Sequence, residues 1–279
     1  MGQRVVVITG CSSGIGYVSA LALACDGWKV FATVRDSAKG REIQNEVNNE
    51  NLDVVIVKLD VSDTESVKMG LRRVLEQTDR IDLLVNNAGY GLVGALEDTD
   101  LDQIWDQFNT NFFGCIRMIQ ELMPVFRRQQ SGHIINVTSV GGLVAVPLCA
   151  AYCASKFALE GLTESLRFEL SMHNVKVSNV EPGAYATNFA SNSRRFGARM
   201  HNDDSPYGRL NKFFLERTSS TKFSDPQEVA KMIVAIADGK KKSFWNPIGP
   251  RTKEVFLFKR LLGADLTLRV IAKLMGFPS

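Results

Sequence analysis

Short apolar runs rich in β-branched residues alternate along this chain with longer stretches whose apolar positions recur at helical spacing. The runs "RVVVITG", "WKVFATV", "LDVVIVKLD", "IDLLVNNAG", "GHIINVTS", "VKVSNVEPG" and "SFWNPIG" are too short for helices and read as buried strands. Between them, residues 16–26, 64–78, 101–128 and 152–172 carry the helical pattern. This alternation predicts an α/β protein with a doubly wound, Rossmann-type parallel sheet and helices on both faces. No linker, low-complexity tract or internal repeat interrupts it, so residues 1–279 are expected to form a single domain. Ligands of such sheets bind outside the carboxyl ends of the strands, where the strand order reverses.

Composition acts mainly by exclusion. An apolar share of 45% over 279 residues suffices for a large core. The 33 basic and 30 acidic residues are interspersed, which gives no footprint for nucleic acid. Cys11, Cys25, Cys115, Cys149 and Cys153 are odd in number and lack CxxC spacing, so neither a disulfide framework nor a zinc site is expected. A reducing, cytoplasmic setting is the simplest reading. The first strand-like run begins at Arg4, leaving no room for a signal peptide, and Val6 breaks the N-myristoylation pattern. His133, His173 and His201 show no metal spacing, so no metal is expected. "NVT" at Asn136 matches a glycosylation sequon but falls in a strand-like run where a glycan does not fit.

Two stretches carry chemistry. In "TGCSSGIG", Gly10, Gly14 and Gly16 follow a strand and open a helix, which allows a tight turn and close approach of a pyrophosphate to the helix N-terminus. A glycine turn needed only for helix packing is the competing reading. In "YCASK", Tyr152 precedes Lys156 by four residues, about one helical turn, so an ammonium group lies on the same face as a phenol. Such pairs are also common on solvated helix faces.

"TGCSSGIG", "NNAG", a serine thirteen residues before "YCASK", and "PG" after the sixth strand together resemble the short-chain dehydrogenase/reductase family, in this order and over nearly the whole chain. "ATVRD", "NNAGYGLVGALED" and "YCASKFALEGLTESL" resemble most its hydroxysteroid and retinol dehydrogenase branch. The resemblance implies an oxidoreductase with Asn111, Ser139, Tyr152 and Lys156 as catalytic residues. Tyr152 exchanges a proton with the substrate oxygen, and Lys156 lowers the tyrosine pKa and holds the nicotinamide ribose. Ser139 hydrogen-bonds the oxygen as charge develops, with Thr138 turned to the other strand face. Asn111 kinks a helix and holds a water behind Lys156, with Asn109 as its competitor, and Asn86 braces strands. Cofactor contacts are expected from Gly10, Ser12, Ser13, Gly14, Ile15, Gly16, Asp60, Val61, Asn87, Ala88, Gly89, Tyr152, Lys156, Pro182, Gly183 and Thr187.

Cofactor choice turns on "FATVRD". Asp36, twenty residues past Gly16, would favour NAD(H), which stays possible, whereas Arg35 with Ser13 suits a 2′-phosphate. NADP(H) is favoured, and Asp36 is then a helix N-cap. For the substrate, Leu143, Val144, Val146, Leu148, Cys149 and Tyr185 are expected to line an apolar wall. Residues 185–223 are expected to form a lid. Wall and lid together suggest a lipophilic alcohol, ketone or aldehyde, and the resemblance implies one of steroid, retinoid or long-chain type. The same residues packing on each other is the alternative. The C-terminal extension 255–279 is apolar at helical spacing and interrupted by Lys259, Arg260, Arg269 and Lys273. It caps the pocket, joins subunits or makes peripheral membrane contact, the cap being favoured. By resemblance a homodimer or homotetramer is expected. The rival function is a cofactor-binding regulator or scaffold without turnover, which would typically lack one of Ser139, Tyr152 and Lys156.

Overall fold

A strand buried on both faces needs apolar residues at every position, and Val5–Ile8 (β1) shows the result. Val5 and Val7 enter one core with Val67, Leu71, Met118 and Leu122, while Val6 and Ile8 enter another with Ala20, Leu23, Val229 and Ile233. Period-two alternation thus divides one run between two cores, each buried Val or Ile contributing roughly 1.5 to 3 kcal/mol.

The computed structural model describes residues 2–187, 194–202, 204–219 and 223–274. Parts of the expected lid (188–193, 203, 220–222) and of the C-terminal extension (275–279) lie outside the described residues. After β1 come Gly14–Cys25 (α1), Lys29–Val34 (β2), Arg41–Glu50 (α2), Val54–Lys58 (β3), Thr64–Leu75 (α3), Leu83–Asn86 (β4) and Gly91–Val93 (β5). Then follow Leu101–Phe108 (α4), Gly114–Gln129 (α5), Gly132–Val137 (β6), Val140–Leu143 (α6), Ala150–Ser171 (α7) and Val175–Pro182 (β7). The chain continues through Arg194–Phe196 (β8), Gly208–Ser219 (α8), Gln227–Ala237 (α9), Pro247–Ile248 (β9) and Thr252–Leu274 (α10). The main sheet is parallel in the order β3-β2-β1-β4-β6-β7-β9. Its order reverses between β1 and β4, which places the switch point beside the glycine turn and "NNAG".

Several elements differ from the sequence expectation. The helix expected over 101–128 is divided by a π-turn at Asn109–Phe113, where Gly114 N–H reaches back to the Asn109 carbonyl. The last strand shrinks to Pro247–Ile248, because its neighbours pair with β7 only through isolated bonds from Asn179 N–H to Phe244 O and Glu181 N–H to Asn246 O. Helix α2 is hidden in sequence because only Ile43 and Val47 of its ten residues are buried. The short strands β5 and β8 pair across a long loop, a contact no local pattern encodes.

Helix α7 docks through a row of buried polar side chains. Asn86 Nδ2 donates to Asn136 Oδ1 (2.9 Å), and Asn136 Nδ2 donates to Thr163 Oγ1 (2.9 Å). One turn nearer the site, Glu160 accepts from Asn179 Nδ2 (2.6 Å), and Glu181 accepts from Asn246 N–H (2.7 Å). Asn136 is wholly buried, so the sequon is structural. Burial raises Glu160 to about 7 and Glu181 to about 9, the latter also pushed up by Glu160, while burial drops His133 to about 4.

The two carboxyl groups bind protons more tightly folded than unfolded, so their stability contribution is full below 4.5 and is lost as pH rises, by about 7 for Glu160 and by about 9 for Glu181, which alone acts between those values. His133 acts oppositely, but only below its ordinary value of 6.5. Melting temperature is therefore expected to fall between pH 7 and 9, and Glu181→Gln to flatten that fall. A variant with the slope of the parent would overturn the assignment.

Candidate active site

The glycine turn is held by sterics. Gly10 and Gly14 sit at φ of +74 and +62, the left-handed region that favours glycine. A Cβ on Gly10 would lie 2.8 Å from Ala88 Cα, and one on Gly16 would lie 2.4 Å from both the Gly10 carbonyl oxygen and Asn87 Nδ2. Thr9, which no sequence reasoning singled out, ties the turn to the next strand end: its Oγ1 accepts from Asn87 N–H (2.9 Å) and Ala88 N–H (3.0 Å). Asn87 Nδ2 returns bonds to the Thr9 and Gly10 carbonyls. The first turn of α1 has no side-chain cap and no acidic residue, so its N–H groups remain available to an anion.

This turn lines a cleft of about 690 Å³. Of the expected cofactor residues, all but Gly16 line it, and Gly16 sits behind as packing. A long cleft, glycines where a Cβ would collide, and an uncapped helix N-terminus fit a dinucleotide. At the ribose end Arg35 is joined by Lys39, which the sequence reading missed, while Glu42 stands on the same rim. Asp36 also lines the cleft, but its carboxylate accepts from Ala38 N–H (2.9 Å) and caps the turn Ser37–Gly40.

In the same cleft the strand and helix termini bring Ser139, Tyr152 and Lys156 together. Ser139 caps α6, its Oγ accepting from Gly141 N–H (3.0 Å), and it hydrogen-bonds Tyr152. A Cβ on Gly141 would sit 3.1 Å from the Tyr152 ring and 3.5 Å from Ser139 Oγ, so glycine permits their approach. Lys156 is buried and donates from Nζ to the Val137 carbonyl (3.0 Å). Leu148 enters α7 with φ +58, an uncommon conformation for leucine, fixed where Gly94 N–H donates to its carbonyl (2.7 Å).

Asn111 does not line the cleft. It lies behind Gly89, accepting from Tyr90 N–H and donating to the Tyr90 carbonyl (both 3.0 Å) and to Ser155 Oγ (3.3 Å). Asn109 is tied to Arg117 and Ser62 outside this group. Thr138 does line the cleft, although its hydroxyl donates to the Val180 carbonyl (3.2 Å). Burial pushes the Tyr152 pKa well above its ordinary value, with the Ser139 bond pulling the other way, and burial lowers Lys156. The expected lowering of Tyr152 by Lys156 is therefore corrected: desolvation dominates and the ammonium group bonds a carbonyl. Tyr152 is therefore held in its protonated, phenol form.

Of the expected apolar wall only Tyr185 lines the cleft, its hydroxyl bonding Glu228 (3.2 Å). Leu148 and Cys149 are buried with Met200 in a separate cluster, against which Val146, Tyr152, Phe196, Tyr207 and Phe214 pack. Leu143 is buried at the end of α6, where its carbonyl accepts from Lys259 of α10. No described α10 residue lines the cleft itself; Thr252 sits beside Gly183, which does, and Lys259 reaches the Leu143 carbonyl. Arg195 of β8 lines the mouth and lies over the Tyr90 ring at 4.2 Å; the pairing of β8 with β5 brings it there, and its sequence neighbourhood gave no signal.

Comparison with known proteins places this geometry. A model of the short chain dehydrogenases matches residues 4–197. The chain is 32% identical over 257 residues to 3-ketodihydrosphingosine reductase of Bacteroides thetaiotaomicron, covering 92% of this chain and 91% of that protein. It is 43% identical over 192 residues to human retinol dehydrogenase 8, covering 67% of this chain and 60% of that longer protein. Two solved structures resemble the fold: a Burkholderia phymatum short-chain dehydrogenase/reductase in complex with NAD (TM-score 0.79, 26% identity, 96% and 95% covered) and a Burkholderia cenocepacia short-chain dehydrogenase in complex with NADP (TM-score 0.75, 25% identity, 99% and 98% covered).

Gly16→Ala is expected to destabilise the fold by about 1 to 3 kcal/mol through overpacking against backbone. Gly161→Ala, in the helix α7 where a Cβ meets nothing within 4 Å, is expected to be neutral or stabilising. Thermal melts of the two variants side by side check this, and equal melting temperatures would contradict it.

Proposed function

The chain belongs to the short-chain dehydrogenase family, and on that footing we propose that it is an NADP(H)-dependent oxidoreductase interconverting a lipophilic alcohol and its ketone or aldehyde. The observation that carries this reading is the convergence of Ser139, Tyr152 and Lys156 in one cleft with a glycine turn and Arg35. The bound nicotinamide cofactor would supply the hydride for reduction of a carbonyl carbon, or accept it in the reverse direction.

The chain's own residues handle the oxygen and its proton. Ser139 donates to the carbonyl oxygen and fixes its position beside Tyr152. Tyr152, kept protonated by burial, gives its phenolic proton to that oxygen as the alcohol forms. Lys156 retains N–H donors beyond the one used on Val137, which can turn to the cofactor ribose and the tyrosine oxygen and favour return of a proton. Asn111 holds the Tyr90 backbone and Ser155, so it positions the floor beneath Lys156.

The preference for NADP(H) is supported by Arg35 and Lys39 together on the rim, with Asp36 engaged as a cap. A lipophilic substrate is supported by the apolar cluster at Tyr152, where residues of the 185–223 segment pack on Val146, Leu148 and Cys149. Withdrawal of that segment as a lid would open a greasy wall beside the tyrosine. Relatives named as a ketodihydrosphingosine reductase and a retinol dehydrogenase point the same way. Exposed Trp105, Phe113 and Phe168 on and between α4, α5 and α7 support a homodimer or homotetramer through these helices.

Tyr152→Phe is expected to lower carbonyl reduction by about 100- to 10,000-fold while NADPH affinity holds, since only the proton donor is lost. NADPH oxidation measured across ketosteroids, retinals and long-chain ketones tests this, and unchanged turnover on a substrate so found would refute the assignment. Arg35→Ala is expected to weaken NADPH binding by about 1 to 3 kcal/mol and to spare NADH. Equal losses in fluorescence titrations with the two cofactors would remove Arg35 from the 2′-phosphate.

A further inference from the structure

Helix α10 is anchored along one side only. Thr252 is buried beside Gly183, Phe256 packs near Trp245 (ring centroids 6.1 Å), and Lys259 reaches the Leu143 carbonyl and lies over the Phe157 ring at 4.7 Å. The opposite side carries Leu257, Phe258, Leu261 and Leu262, at 53%, 43%, 78% and 46% exposure. Their spacing makes two i, i+4 pairs and hence one outward stripe. Beyond Gly263, whose φ of +79 kinks the helix, exposed Leu266 and Val270 extend the apolar surface.

The surroundings of this stripe select its occupant. On the first arm Lys253 and Arg260 flank it, Arg260 also lying over the Trp245 ring at 5.9 Å, with Glu254 on the same face as Leu257 and Phe258; Arg269 and Lys273 accompany Leu266 and Val270 on the second. The helix holds five basic residues against two acidic ones, Glu254 and Asp265, so its net charge of +3 equals that of the whole chain. A second copy of α10 would set like charges against each other. An anionic bilayer surface takes both features at once, with leucine and phenylalanine in the acyl boundary and ammonium and guanidinium groups at phosphate level. The kinked helix suits lying on such a surface, and among the described residues no helix is long and apolar enough to cross one.

We propose that α10 is an interfacial helix that seats the protein on anionic lipid through the stripe Leu257, Phe258, Leu261 and Leu262. Flotation of the full chain with phosphatidylcholine vesicles, with and without phosphatidylglycerol, tests it. Binding is expected to require phosphatidylglycerol and to weaken as salt rises from about 0.1 to about 1 M, where the screening length contracts from roughly 10 to 3 Å. Leu257→Glu with Leu261→Glu, at exposed positions, is expected to lower partitioning about 10-fold or more with the circular dichroism melt and the light-scattering mass unchanged. Lys253→Glu with Arg260→Glu is expected to abolish the lipid selectivity. Failure of the parent to float with phosphatidylglycerol, equal binding to both vesicles, or binding that survives both pairs would overturn the proposal. A lower mass in solution for the leucine pair would assign the stripe to a second copy instead.

Discussion

The contact between the carboxyl ends of β1 and β4 is the constraint on which the site depends. Gly10 lies against Ala88, Gly16 against the Gly10 carbonyl, and Thr9 and Asn87 exchange bonds across the gap. These approaches require the absence of side chains on one strand end and short polar ones on the other. They also set the point where α1 begins, and so where its uncapped N–H groups face the cleft. A bulkier turn would move the anion-binding part of the cleft away from Tyr152.

Helix α7 supplies the second fixed edge, registered by buried polar side chains beside the apolar packing of Leu166 and Leu170. Asn136, Thr163, Glu160 and Asn179 register it against β6 and β7, so Tyr152 and Lys156 meet the cleft at one height. The π-turn at Asn109–Phe113 lets Asn111 turn inward to the Tyr90 backbone and Ser155, which ties the floor to α7. Buried carboxyl groups in this row make the stability of the support depend on pH.

The glycine turn and the region of Ser139 and Tyr152 are tied by close contacts and hydrogen bonds, whereas the segment beside them packs on a smaller cluster. Segment 185–223 rests on a small apolar cluster by Phe196, Met200 and Tyr207, separate from the two large cores. Small clusters under long loops open at lower free energy than the cores they adjoin, which suits an element that admits substrate. Helix α10 leaves much of its apolar surface toward solvent for the same reason: the cores are complete without it.

The sequence by itself determined the alternating α/β order, the parallel sheet and its ligand-binding edge, because apolar periodicity reports burial directly. It also located the glycine turn and the tyrosine and lysine one turn apart, which depend on local spacing, while Ser139 came from the family resemblance. Tertiary structure decided what depends on distant partners. It assigned Asp36 to a cap, added Lys39 and Arg195 to the cleft, and used Leu148 and Cys149 in packing rather than in the cleft lining. It raised the Tyr152 pKa through burial, where spacing alone suggested that a neighbouring ammonium would lower it. It anchored α10 at Gly183 and Leu143 while leaving Leu257, Phe258, Leu261 and Leu262 exposed. A pattern of side chains fixes which face of an element is apolar, but which surface meets that face is settled only when the chain closes on itself.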